Sequence, residues 1–235
     1  MQRYNILLNV LLNSLEQLEK GIKGFVVISP DLESIMQSLF ENKVPKQWGF
    51  AFFSLKPLAV WIRDLNDRYK FFADWASKSA PFVFWISAFT YPTGFTTSLL
   101  QRFSRKPNGA PIDKLEFDFI PMAKPLKDIS EHAKEGAYIT GLYLEGAKWN
   151  FDKQMLMEPE VMELQVLMPV LHFKPISKRS KPPANIYECP CYYYPIREGT
   201  IDKDSFMLKI DLKTGDNTSE FWIKRGTALL MSLAN

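Results

Sequence analysis

Lys106-Pro107-Asn108-Gly109-Ala110-Pro111, running into Ile112-Asp113-Lys114-Leu115-Glu116-Phe117-Asp118-Phe119, is where the grammar of this sequence changes. Two prolines, an asparagine and a glycine in close succession break any regular element. Beyond them Leu115, Phe117 and Phe119 alternate with Glu116 and Asp118, the period of two that a half-buried strand requires. Phe206, Leu208, Ile210 and Leu212 alternate with Met207, Lys209 and Asp211 in the same way. Tyr138 to Leu144, Val166 to Phe173 and Ile186 to Tyr194 are rich in the β-branched and aromatic residues that suit a pleated sheet. Thr214-Gly215-Asp216-Asn217 reads as a turn, Phe221 to Ile223 as a restarted strand, and Lys174 to Pro183 as a solvated basic loop. Several short strands divided by turns argue for an antiparallel sandwich or barrel.

Upstream of residue 106 the period is 3.6. Tyr4, Leu8, Leu11, Leu15, Leu18 and Ile22 recur at steps of four and three and trace one helical face, which Leu7 and Leu12 widen. Gly21 and Gly24 supply a stop. Ser29-Pro30-Asp31 has the form of a cap, a first-turn proline and an acidic residue favoured by the helix dipole. The second helix then carries Leu32, Ile35, Met36, Leu39 and Phe40, with Asn42 able to end it. Val44 to Gly49 reads as a loop. A third helix from Leu58 is expected to turn Trp61, Ile62, Leu65, Tyr69 and Phe72 inward and Arg63, Asp64, Asp67, Arg68 and Lys70 outward. A fourth starts at Pro92 and carries Phe95, Leu99 and Phe103 on one side.

The 235 residues suffice for one large domain or two closely packed halves. Lys and Arg number 29 against 26 Asp and Glu, a net charge of +3, so no single-sign field points to nucleic acid. Two cysteines make no disulfide framework, which suits a reducing compartment. Met1-Gln2-Arg3-Tyr4 lacks the apolar core of a secretory signal, so export is not expected. Ser79 to Gln101 is free of charge and long enough to span a bilayer, yet Pro81, Pro92, Gly94 and its many hydroxyls mark it as buried core segments rather than membrane.

Reactive chemistry is hard to find. Gly141 to Lys148 reads G-x-x-x-x-G-A-K, but a phosphate loop needs lysine directly after the second glycine, then Ser or Thr, at a helix N-terminus. Here Ala147 intervenes and Trp149 takes the hydroxyl position. Cys189-Pro190-Cys191 with His172 falls short of the four ligands of structural zinc, and two small apolar side chains on a strand is the better reading. Neither His132 nor His172 lies in a nucleophile motif. Asp64 and Asp67, beside Arg63 and Arg68, read as surface pairs. The six tryptophans and Tyr192, Tyr193 and Tyr194 read as core anchors and partner contacts, with a sugar-stacking platform as the other possibility. No catalytic, cofactor-binding or metal residue is expected.

Several blocks together resemble the C-terminal domain of dynein heavy chains. They are Pro45 with Trp48; Lys56-Pro57-Leu58, Trp61, Asp64-Leu65 and Arg68; and Phe84-Trp85 with Phe89, Pro92 and Gly94-Phe95. The run ending Ser104-Arg105-Lys106 precedes Pro111-Ile112-Asp113 as in that family. Most specific is Gly141-Leu142-Tyr143-Leu144-Glu145-Gly146-Ala147-Lys148-Trp149. Tyr187, Cys189-Pro190, Tyr192 and Arg197, then Trp222-Ile223 and Arg225-Gly226-Thr227-Ala228-Leu229-Leu230, close the set. The Leu-Glu-Gly-Ala and Cys-Pro forms resemble the axonemal branch, while Thr96, Ser104 and the charged turn before Phe206 depart from the pattern.

The resemblance implies an α+β fold: a helical subdomain over 1–106, then an antiparallel, incomplete β-barrel-like subdomain over 112–235. It implies a non-catalytic domain, without cofactor, lying against the AAA+ ring modules of the same heavy chain. There it would stabilise the ring and tune a microtubule motor in the cytoskeleton of the cilium or flagellum. Dynein subunits and microtubules would be met through the parent motor, an ATP-driven machine, with no nucleic acid or membrane partner. Tyr4, Leu8, Leu11, Leu15, Leu18 and Ile22 are the candidate ring contacts, each worth roughly 1.5–3 kcal/mol if fully buried, before ordering costs. The alternative is a stand-alone β-barrel module that binds a glycan or a protein.

Overall fold

Backbone contacts part between Ser79 and Ala80, so the two units divide upstream of the change in sequence period. The structure, a computed structural model, describes residues 2–51, 54–107, 109–180, 184–193 and 205–233. Tyr194, Arg197 and residues 181–183 of the basic loop lie outside the described residues.

The first unit holds α1 (Gln2–Ile22), α2 (Pro30–Phe40), α3 (Lys46–Ala51) and α4 (Leu58–Ser77). Helix α2 begins as its sequence demands: the Ser29 hydroxyl accepts the Leu32 N–H at 3.3 Å, and Pro30 opens the first turn. Asn42, at φ 56°, takes the left-handed position after its end. The expected loop from Val44 to Gly49 instead contains the start of α3. Burial of Trp48 draws it in: the indole stacks on Trp61 with centroids 5.9 Å apart, and its N–H donates to Ser14 Oγ at 2.9 Å.

Helix α4 corrects the sequence reading at four positions. Trp61 and Leu65 are buried as expected, but Ile62 and Tyr69 are exposed, while Asp64 and Arg68 are buried. The inward face is rotated, because Asp64 and Arg68 satisfy each other one turn apart. Arg68 Nε donates to Asp64 Oδ2 at 2.7 Å, and Lys56 Nζ donates to Oδ1 at 2.9 Å. Burial opposes ionisation of this carboxyl, but Arg68 and Lys56 together outweigh it and hold it below its ordinary range.

Among the described residues the second unit is built on three sheets. Strands β1 (Val83–Trp85), β2 (Leu115–Pro121), β3 (Ala137–Thr140) and β8 (Leu171–Ser177) make a four-stranded sheet in the order β1-β3-β8-β2. Strands β4 (Tyr143–Glu145), β7 (Gln165–Leu167), β9 (Ile186–Tyr192), β10 (Phe206–Lys213) and β11 (Ala228–Leu230) make a five-stranded one in the order β10-β9-β11-β4-β7. Strands β5 (Lys148–Asn150) and β6 (Met155–Met157) form a hairpin. The pairing is antiparallel except for β1 with β3 and β9 with β11, and the sheets do not close into a barrel. The fold is thus α+β, helices first and antiparallel-rich mixed sheets after.

Helix α5 (Pro92–Ser104) joins this second unit because Phe95 stacks on Phe89 at 4.5 Å and, with Leu99, packs against its core. That core draws alternate residues from the strands: Leu171 and Phe173, Cys189 and Cys191, Ile210 and Leu212. Two further expectations are corrected here. Phe221 to Ile223 is not a strand but part of α6 (Ser219–Lys224), because Thr218 caps it by accepting the Phe221 N–H at 3.3 Å. Of the three residues Trp222 alone is fully buried, its indole donating to Thr214 O at 2.9 Å. The basic loop starts later than expected, since β8 runs on to Ser177. Pro175 sits beyond the last pairing with β3, where β8 has β2 alone beside it and a missing N–H is tolerated. No described helix is long and apolar enough to cross a membrane.

Gly141 separates β3 from β4 at φ 91°, and a Cβ there would lie 2.4 Å from Trp85 Cδ1. Gly141→Ala is therefore expected to cost about 2 kcal/mol or more from left-handed strain plus a displaced indole, read by denaturant unfolding. Arg68→Ala, which leaves a buried carboxylate with Lys56 alone, should cost about 3–5 kcal/mol. Because the folded pKa of Asp64 is depressed, its contribution is complete above the ordinary carboxyl range near ~4 and is lost as pH falls through the lower folded value. An acid titration followed by helical circular dichroism should show a smaller acid-driven loss from Asp64 in Arg68→Ala, where Lys56 alone opposes the effect of burial and the depression of the carboxyl's folded pKa shrinks.

Candidate functional site

Helix α1 carries more apolar residues than its neighbours cover. Tyr4, Leu7 and Leu18 are buried, and Leu8, Val10 and Leu11 pack at the edge of a cluster made with Trp48, Leu58, Trp61 and Leu65. The Tyr4 hydroxyl donates to Leu65 O at 2.7 Å, and burial raises its pKa. Of the six stripe residues, four thus face the unit's own core wholly or in part. Leu15 and Ile22 do not: they are 45% and 68% exposed.

The end of α1 enlarges this uncovered surface. Gly24, at φ 77°, lets its own N–H reach Gly21 O at 3.0 Å and the Phe25 N–H reach Lys20 O at 2.9 Å. This double closure turns the backbone sharply out of the helix. It delivers Phe25, Val26, Val27 and Ile28 in succession, with Phe25 76% and Val27 89% exposed. Phe40, at the end of α2, is exposed as well. Phe25 to Ile28 thus form a run of apolar side chains left partly or largely in water next to a helix end. The sequence signal was present as four consecutive apolar residues between Gly24 and Ser29, hidden because a run that short has no period.

The candidate reactive groups are engaged elsewhere. Cys189 and Cys191 lie fully buried on β9, and burial pushes the Cys191 thiol up to about 12, far from a thiolate nucleophile. His172 lies on the opposite face of β8 from Leu171 and Phe173, with Nε2 2.7 Å from Glu135 O. Among the described residues no group of three or more His, Cys, Asp or Glu could hold a metal ion. The Gly141–Lys148 segment is loop, strand β4, a turn at Gly146 and the start of β5, with no helix N-terminus. Lys148 donates to Glu160 at 2.9 Å and Glu163 at 3.1 Å, and these carboxylates raise its pKa. Asp67 lies 3.8 Å from Lys70 on the surface and takes no part in the Asp64 network. Trp48, Trp61, Trp149 and Trp222 are buried, as core anchors are.

Residues 1–231 match the family described as the C-terminal domain of the dynein heavy chain. The protein is 47% identical over 234 residues to dynein axonemal heavy chain 2 of Homo sapiens, a match to 99% of its own residues and 5% of that relative's. Against the dynein-1-beta heavy chain, flagellar inner arm I1 complex, of Chlamydomonas reinhardtii it is 47% identical over 234 residues, 100% of its own length and 5% of that relative's. Dynein axonemal heavy chain 1 of Homo sapiens is 38% identical over 236 residues, 98% of this protein and 6% of that one. The sequence thus spans about one twentieth of the length of these relatives. With helices followed by mixed sheets, and the family's motif blocks along its whole length, this protein belongs to the family of C-terminal domains of dynein heavy chains, in its axonemal form.

Proposed function

We propose that this protein is a non-catalytic, cofactor-free domain that packs on the AAA+ ring of its own heavy chain, stabilising the ring and tuning a microtubule motor in the axoneme of a cilium or flagellum. The axonemal and flagellar names of the relatives supply the setting, and in this reading ATP turnover is assigned to the rest of the heavy chain. The observation that carries the reading is the uncovered apolar end of α1. Leu15, Ile22, Phe25 and Val27 remain in water although the helix is already anchored through Tyr4, Leu7 and Leu18. Such residues gain by covering and contribute little to the fold that exposes them.

Hydrogen exchange of residues 15–28 tests this directly. The expected result is slower exchange in the whole heavy chain than in the separate domain; equal protection in both would reject the reading. Ile22→Asp should remove about 1.5–3 kcal/mol of burial at the contact, weakening docking roughly tenfold or more. Its own unit should melt almost unchanged, because Ile22 is 68% exposed there.

A further inference from the structure

We propose that the turn Glu160–Glu163, between β6 and β7, is an apolar plug that seats in an apolar socket on the upstream part of the same heavy chain; this rests on the reading that the domain docks there. Val161 is 93% exposed and Met162 90%, more than any other large apolar residue among those described. Leu164 follows at 79%. Exposure alone would say little, but this tip is built. The Glu163 N–H donates to Glu160 O at 3.1 Å, and Met162 stands at φ 76°. That is the arrangement of a type II turn, whose third position calls for glycine or asparagine. A methionine held in the left-handed region is a strained choice, and strain of this kind persists where surrounding structure enforces it.

The enforcement is visible. The Glu160 N–H donates to Glu163 Oε2 at 3.0 Å, closing the turn from its other side. Lys148 Nζ, on β5, donates to Glu160 Oε1 at 2.9 Å and to Glu163 Oε1 at 3.1 Å. Arg225 Nη1 donates to Glu158 Oε2 at 2.9 Å. Each of the three acids below the tip is therefore paired with a cation of the domain, Lys148 serving two of them and Arg225 the third. What remains to be matched by a partner is the pair of apolar side chains, so the complementary surface is an apolar pocket and not a basic one.

The size of the tip selects the partner. Two or three side chains fall far short of the roughly 800 Å² a side that a free-standing complex buries. A contact that small holds when a tether raises the effective concentration, which another part of the same polypeptide supplies. The domain matches about 5% of the relatives' length, so nearly all of such a heavy chain lies outside it.

The test uses the whole heavy chain. Val161→p-benzoyl-phenylalanine places a photo-cross-linker on the tip, and Ile22→p-benzoyl-phenylalanine places one on α1. After irradiation, the Val161 probe is expected to join upstream peptides of its own polypeptide at unchanged mass on a denaturing gel. Capture of a second copy, of another polypeptide, or of nothing beyond the domain overturns the proposal. If the Ile22 probe captures upstream peptides while the Val161 probe does not, the plug fails and the docking reading stands; if neither does, both fail. Met162→Gly keeps the turn conformation and deletes the side chain. In combination with the Val161 probe it should lower the upstream cross-link about tenfold; an unchanged yield counts against the plug.

Discussion

Helix α1 can bury only what its neighbours cover. The tryptophan pair decides which residues those are. Trp48 and Trp61 stack beneath the first turns of α1, so Tyr4, Leu7, Leu8 and Leu11 go inward there. By the time the stripe reaches Ile22, the side chain is left in water, and the sharp exit at Gly24 puts Phe25 and Val27 there too. The asymmetry follows from packing: a covered residue contributes transfer free energy at once, whereas an uncovered one contributes only when a partner arrives. One helix therefore carries two faces, one in the interior of its own unit and one left uncovered.

Polar groups follow the opposite rule in both units. Asp64 has Arg68 and Lys56; Lys148 has Glu160 and Glu163; Arg179 has Asp118, with Asp211 at 3.3 Å and Glu116 at 3.7 Å. Asp211 is pushed up by burial, with Arg179 opposing, yet no histidine or free nucleophile stands with it in these pairings. These charges are thus engaged with partners within their own unit, in a chain whose net charge is +3. Each unit also leaves large apolar side chains in water, Phe25 and Val27 in the first and Val161 and Met162 in the second. That distribution suits a domain whose work is contact.

Where a periodic signal and the packing agree, the sequence was readable. The α1 stripe, the Ser29 cap and the alternations at Leu115 and Phe206 all name their element type correctly. Two of the errors share a cause, which is a local pattern overruled by one buried residue. Trp48 makes a helical turn from an apparent loop, and Trp222 with the Thr218 cap makes one from an apparent strand. On α4 the sequence placed charge outside, because single residues carry no sign that Asp64 and Arg68 will pair across a turn inside the unit. Of the candidate site, Leu15 and Ile22 were legible from spacing. Phe25 to Ile28 and the Val161–Met162 tip were not, since neither has a period and their exposure is a property of turns.

The block that most resembles a phosphate loop shows why its letters mislead. Gly146, at φ 75°, closes the turn between β4 and β5, and its carbonyl accepts the Thr227 hydroxyl at 3.3 Å. Tyr187 donates in turn to Thr227 O at 2.6 Å, and Leu144 lies opposite Leu229 in the antiparallel pair β4 and β11. The Gly141–Trp149 block and the Trp222–Leu230 block, 81 residues apart at Gly146 and Thr227, thus meet as neighbouring strands of one sheet. Their side chains are spent on each other. Lys148, the residue that the phosphate-loop letters single out, donates to Glu160 and Glu163 at the base of the Val161–Met162 turn, so the same few residues fix the geometry of an apolar tip.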